Sequence, residues 1–386
     1  MPEEQPKKRR ILSCDGGGMR AMITLHCLKA FELEVGKTCF EYFDMFAGTS
    51  GGAEVIGLLA QGTSVDGVID ILTNRRDDMF SRWIIGNYPW PLVTKYRKRP
   101  IHLLFKEIYD AKRRLCDLDR DIMICSVDTV RSETAFFTSF RLPGGGRYGT
   151  YKDVRLRDAV EASMSAPTFW KAHGRFVDGG IGTYNNPCYA AAVEALRYSS
   201  DRENGQPSIY DGAEIEVYSF SAGNVMNAMA PDEAMRTGSL CWLRYLLSAG
   251  IDQAGYQQSY VSQSELDFAE RAVKFHRYDF YITDEVIQDA WRGCQIKADE
   301  LAIDAHDDES MELLNKLGEY QARHLKENGF FMGGPSPSPV SASAQSALAK
   351  RPAGGNRWDQ FGKPPLPANY VQEVMAQFDS VDKLLD

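Results

Sequence analysis

The chain has 386 residues, 44% of them apolar and 11% aromatic, enough to bury the core of one large α/β unit with additions. Its 53 acidic against 44 basic residues leave a net charge of −9, which excludes a dedicated binder of nucleic-acid polymers, because counterion release needs a basic face. No stretch approaches the roughly 18 uninterrupted apolar residues of a membrane span, and MPEEQPKKRR lacks the apolar core of a secretory signal, so a cytosolic protein is expected.

In chain order, RRILSC (9–14) reads as a short strand, DGGGMR (15–20) as a glycine turn and MITLHCLKAFELEV as a helix. The pattern then repeats: FDMFA is a strand, GTSGG a turn, and AEVIGLLAQ a helix with Ala53, Ile56, Leu59 and Ala60 on one side. Two strand–turn–helix units in succession predict an α/β fold, a mostly parallel central sheet flanked by helices. Further strands are expected at 121–129, 134–140, 175–178 and 214–223, and helices at 156–164 and 186–196, the latter with Pro187 in its first turn. From 222 to 330 the pattern is mainly helical, which suits a regulatory or oligomerisation role. The run 331–368 is rich in Pro, Ser and Gly and reads as a linker or strap, and 369–386 reads as an amphipathic helix through Val371, Val374, Met375, Phe378, Val381 and Leu385. The domain expectation is therefore one body over 1–330, the linker, and the terminal helix. Eight cysteines, at 14, 27, 39, 116, 125, 188, 241 and 294, form no C-x-x-C pair and no cluster with histidine, so they are expected as free thiols rather than metal ligands or disulfides.

The candidate chemistry lies in the turns. Ser50, between Gly48 and Gly52 in G-T-S-G-G, has the pattern of a nucleophile elbow: the glycines allow a sharp turn and the following helix presents its backbone N–H groups. The consecutive glycines Gly16, Gly17 and Gly18 can aim N–H groups into one cavity, as an anion cradle or an oxyanion hole. No G-K-[ST] follows them and Ala21 stands where a dinucleotide fingerprint would end in glycine, so both nucleotide-loop readings fail. Asp178 in FVDGG is a carboxylate at a strand end; it could serve as a base against the serine, or merely begin a turn. The six histidines, at 26, 102, 173, 276, 306 and 324, sit in no motif, and Ser50 comes too early in the chain for a Ser–acid–His hydrolase.

DGGGMR, GTSGG and DGG in this order, with EASMSAPTFW before the last, resemble the patatin-like phospholipase family over about residues 10–200. The resemblance implies a Ser/Asp dyad hydrolase that cleaves ester-linked acyl chains from phospholipids without metal or other cofactor. By motif, Ser50 would be the nucleophile and Asp178 the base, with Gly16, Gly17 and Gly18 forming the oxyanion hole and Arg20 a supporting charge. Ala21 replaces a glycine often found in the family's first motif, and a slightly altered turn is expected.

The stretch SRWIIGNYPWPLVTKYRKRP (81–100) joins Trp83, Tyr88 and Trp90 to Lys95, Arg97, Lys98 and Arg99. It reads equally as a contact for an anionic membrane or as a lid packed over the acyl pocket. The basic run KKRR (7–10) reads as solvated. The expected partners are a phospholipid or membrane surface, reached peripherally, and an activating ligand or protein; self-association is open. Three classes remain: a regulated lipid hydrolase such as an antiviral effector or injected toxin, a constitutive lipid esterase, and a non-catalytic lipid-binding protein on the same fold.

Overall fold

Strand β1 (Lys8–Cys14) buries its last four residues, and β2 (Met45–Thr49) buries all five. Such continuous burial is what strands covered on both faces require. The computed structural model describes residues 7–82, 94–225, 273–332 and 369–385, with scattered positions between 226 and 272. Along these follow β3 (Asp121–Asp128), β4 (Glu133–Arg141), β5 (Arg147–Tyr148), β6 (Phe176–Asp178), β7 (Glu214–Phe220), β8 (Asn224–Val225), β9 (Val273–Tyr278) and β10 (Tyr281–Ile282). The main sheet runs β5-β4-β3-β2-β1-β7-β9, with β6 added on β3. Strands β3, β2, β1, β7 and β9 are mutually parallel, whereas β4, β5 and β6 pair antiparallel.

The period of two divides the core. Leu12, Cys14, Phe46, Ile122 and Ile124 face one hydrophobic cluster, and Ile11, Met45, Ala47, Met123 and Cys125 face the other. The first face is covered by α1 (Ala21–Val35) and, after the short α2 (Cys39–Tyr42), by α3 (Gly51–Ala60) and α4 (Val65–Asn74). α3 is buried on every side, as a helix wedged between the sheet and its neighbours must be. Then come α5 (Arg76–Met79), α6 (Lys98–Ile108) and α7 (Leu156–Met164), while α8 (Cys188–Val193) covers the opposite face. The long helix Asp308–Glu327 packs along α1. The C-terminal helix Tyr370–Leu385 returns to the body and buries Tyr370, Val374 and Phe378.

Two sequence expectations change. The region after 222 is not only helical: VKFHRY forms β9, paired in parallel with β7 in the main sheet, and β8 pairs β10. Lys274, His276 and Arg277 disguise that strand, since it lacks the apolar run of its neighbours. The basic residues 8–10 are not a solvated tail but part of β1, with Lys8 on Glu216 at 2.9 Å and Arg9 on Asp44 at 2.8 Å. No disulfide joins the seven described cysteines.

Candidate active site

β2 and β6 share one flank of β3. Residues Met45–Thr49 pair with Asp121–Cys125, and just beyond them Asp178 pairs with Ser126, so β6 arrives antiparallel where β2 ends. The next residue after β2 is Ser50. The junction therefore brings together two side chains 128 positions apart, and Ser50 Oγ donates to Asp178 Oδ2 at 2.6 Å.

Ser50 adopts φ 53° and ψ −127°, a backbone state that ordinary residues avoid and that is kept where surrounding structure enforces it. Ser163, at the end of α7, supplies part of that restraint: its Oγ accepts the Ser50 N–H at 2.9 Å and donates to the Cys125 carbonyl at 2.6 Å. Gly52 is dictated by crowding, because a Cβ there would stand 2.3 Å from the Cys14 carbonyl oxygen. At Gly48 a Cβ would meet the Gly52 carbonyl oxygen at 2.6 Å. The two glycine turns thus interlock without room for side chains.

Asp178 is 4% exposed. Burial pushes its carboxyl up to about 6, against the opposing hydrogen bonds from Ser50 and from the Gly180 N–H at 2.7 Å. Its own N–H donates to the Ser165 carbonyl at 3.0 Å, so the α7 end grips both partners, Ser50 through Ser163 and Asp178 through Ser165.

The glycine loop sits against this pair, and a Cβ on Gly16 would lie 3.2 Å from Ser50 Cβ. The Gly16 N–H is not available to a ligand, because it donates to the Asn185 carbonyl at 2.9 Å, which corrects the expectation for that residue. The N–H groups of Gly17, Gly18 and Gly51 have no acceptor among the described residues. Gly18 has φ 55°, and a Cβ on Gly51 would come within 3.0 Å of its nitrogen. Arg20 is half-buried at the end of the turn. Behind the loop, Arg277 of β9 forks onto Asp15 at 2.8 and 2.5 Å and also donates to Ser219. Burial raises the Asp15 carboxyl to about 6, and Arg277 works against that rise.

The basic residues of the stretch expected as a membrane contact or lid stand in different surroundings. Lys98 is buried on Ser165 (2.7 Å) and Glu161 (3.0 Å), because its position begins α6 facing α7. Lys95 pairs with Asp304, Arg97 donates to Ser81 at 2.8 Å, and the exposed Arg99 reaches the Leu385 carbonyl. Trp83, Tyr88 and Trp90 lie outside the described residues. No helix among the described residues is long and apolar enough to cross a membrane.

His102, Glu161 and His173 bring ligand atoms within 4.8 Å of one another. The Lys98 ammonium already occupies Glu161, so a divalent ion would have to displace it.

Residues 12–192 match the model of the patatin-like phospholipase family. Over those residues the chain is similar to the patatin-like phospholipases. It is 30% identical over 236 residues to a cGAMP-activated phospholipase of Escherichia coli strain TW11681, covering 56% of this chain and 62% of that one. It is 28% identical over 207 residues to a cUMP-AMP-activated phospholipase of Escherichia coli, covering 50% and 62%. The 85/88 kDa calcium-independent phospholipase A2 of Mus musculus is 24% identical over 216 residues, 52% of this chain and 25% of that one. The chain thus spans less than two thirds of each of these relatives. The solved structure of VipD from Legionella pneumophila overlaps 81% of this chain and 67% of that one at 11% identity and a TM-score of 0.33, a likeness too loose to argue from.

Of the residues that meet at this junction, sequence reading named Ser50, Asp178 and the glycine loop but passed over Ser163, Ser165, Asn185 and Arg277. The two serines stood in the quoted EASMSAPTFW stretch, without any cue to their backbone contacts. Gly51 could have been found by the rule that the residue after an elbow nucleophile offers its N–H.

Proposed function

We propose that the protein is a lipid acyl hydrolase that cleaves carboxylic esters of phospholipids, with Ser50 as nucleophile and Asp178 as general base. The observation that carries this reading is the 2.6 Å hydrogen bond between Ser50 Oγ and a buried Asp178 whose carboxyl is raised to about 6. A base in that range is ionised at neutral pH and more proton-hungry than an exposed aspartate.

In the first half-reaction Ser50 Oγ attacks the ester carbonyl carbon while its proton passes to Asp178 Oδ2. The tetrahedral oxyanion is met by the N–H groups of Gly17, Gly18 and Gly51, assisted by the positive end of α3. Collapse expels the alcohol, which takes the proton from Asp178 and leaves the acyl group on Ser50. In the second half-reaction water loses a proton to Asp178, attacks the acyl carbon, and releases fatty acid as the proton returns to Ser50.

The similarity to patatin-like phospholipases and relatives named as phospholipases support this reading. Two of those relatives are named for activation by cyclic nucleotides, which favours the regulated class over a constitutive esterase and suggests a protein that acts at the membrane surface when switched on. The test is mass-spectrometric analysis of mixed phospholipid vesicles incubated with wild type and Ser50→Ala, each with and without a panel of cyclic dinucleotides. Free fatty acid that depends on Ser50 is expected; equal release by both proteins, or none under any condition, would overturn the proposal.

A further inference from the structure

An open cavity of about 510 Å³ lies where α5, the start of α6 and the end of the C-terminal helix meet. Its size falls within the range of small-molecule sites. Arg75, Arg97, Lys98, Arg99 and Lys171 line it against only two carboxylates, Asp78 and Glu107. Both carboxylates are committed to Arg75, at 2.8 Å from Asp78 and at 2.6 and 2.8 Å from Glu107. Lys98 is paired with Glu161 behind the cavity, whereas Arg97 and Lys171 meet no carboxylate among the described residues. Of these, Lys171 is exposed to solvent. In a chain of net charge −9, such an excess of cations around one hollow is a local feature. Guanidinium forks beside an ammonium, above the apolar side chains of Leu103 and Leu104, suit a phosphate group carried on a less polar body.

The floor of the cavity is connected to the candidate active site. Lys98 Nζ donates to Ser165 Oγ at 2.7 Å and pairs with Glu161 at 3.0 Å. The Ser165 carbonyl holds the Asp178 N–H at 3.0 Å, and Asp178 in turn holds Ser50. On the other side Glu161 bonds His102 at 2.8 Å, whose second ring nitrogen lies 3.1 Å from Asp382 of the C-terminal helix. One buried polar chain therefore runs from the C-terminal helix, past the cavity floor, to the Ser50–Asp178 pair.

We propose that this cavity binds a phosphate-bearing anion, either a free phosphate compound or a lipid headgroup, and that Lys98 conveys its arrival to the α7 turn holding Ser50 and Asp178. A bound anion competes for the Lys98 ammonium and withdraws it from Ser165 and Glu161. The turn from Ser163 to Ser165 then loses a donor and a cation, and the backbone bond from Asp178 to Ser165 loosens.

The test uses the full chain and two probes, inorganic pyrophosphate by calorimetry and flotation on phosphatidylcholine vesicles with or without phosphatidic acid. Binding of either probe is followed by hydrogen exchange at the Asp178 amide. Wild type should bind at least one probe, Arg97→Gln/Lys171→Gln should weaken that binding at least tenfold, and saturation should speed Asp178 exchange at least threefold. Binding of pyrophosphate identifies a free phosphate ligand, and flotation that requires phosphatidic acid without pyrophosphate binding identifies a headgroup; both support the site. Ser165→Ala should bind as wild type does while its exchange no longer responds. Failure of both probes to bind, binding indifferent to the double substitution, or unchanged exchange at saturation would each overturn the proposal. None of these readouts needs turnover, so their failure is separate from failure of the hydrolase reading.

Discussion

The turns after β1 and β2 do the same geometric task by different means. Each ends a parallel strand and leaves backbone N–H groups without an acceptor among the described residues. The β2 turn is set partly by its own neighbourhood, by Gly48 just before it and the buried helix α3 just after, with the Cys14 carbonyl crowding Gly52 and Ser163 added from α7. The β1 turn is held from far along the chain, by the Asn185 backbone at Gly16, by the Ile303 carbonyl on the Met19 N–H at 2.8 Å, and by Arg277 under Asp15. A nucleophile can be raised by local strain, whereas a loop that keeps several N–H groups unsatisfied needs outside supports.

The largest effect that would break this comparison lies in the β2 turn. Asp178→Asn should lower kcat by at least about a thousandfold while the fold persists, since the amide keeps the shape but cannot take the Ser50 proton. Near-normal turnover would remove Asp178 from the mechanism. The wild-type kcat/KM should rise with pH and level off above about 6, the value to which burial raises this carboxyl. The stability sign is opposite: a carboxyl raised above its unfolded value of about 3.9 is costly to ionise. That cost is absent below about pH 4 and complete above about pH 6, so Asp178→Asn should melt higher than wild type at pH 8 and equal to it at pH 3.5.

In the β1 turn the largest effect should come from Arg277→Met. It leaves Asp15 as a buried carboxylate without its guanidinium, a loss of about 3–5 kcal/mol. Asp15 already stands at about 6 because of burial, and removing Arg277 takes away what opposes that rise. Ionising Asp15 then costs more, so the gap between variant and wild type should widen as pH rises from about 5 to about 8 in denaturant titrations. A gap independent of pH would assign the loss to packing instead.

Gly18→Ala tests the same loop more gently. With φ 55° and the Ile303 carbonyl oxygen 2.1 Å from the added Cβ, the loop must shift, which should cost about 1–3 kcal/mol of stability and lower kcat more than it raises KM. If kcat is unchanged, Gly18 does not meet the oxyanion.

The contrast also explains what the sequence disclosed. The strand–turn–helix units, the dyad candidates and the parallel sheet are encoded in short contiguous patterns, so they were legible. Strand β9 was not, because Lys274, His276 and Arg277 replace the apolar run that marks a buried strand, and Arg277 is buried with Asp279 beside it and Asp15, 262 positions away, as its partners. Lys98 read as a surface charge for the same reason: its partners Glu161 and Ser165 adjoin it only once α6 packs on α7. The Gly16 N–H read as free because its acceptor, Asn185, belongs to another loop.

The smallest expected effect concerns Ala21, where the family's first motif often has glycine. Ala21 opens α1 with φ −55° and ψ −19°, a conformation open to any residue, and it is 1% exposed. The turn therefore needs no glycine at this position, and the methyl group is packed. Ala21→Gly should destabilise by roughly 0.5–1 kcal/mol through helix entropy, with a further increment for the lost burial, and leave kcat/KM within about twofold. A gain in activity would mean that Ala21 restrains the loop it follows. The tension in the β1 turn would then extend into its helix, and the supports from Asn185, Ile303 and Arg277 would not be sufficient to set the loop.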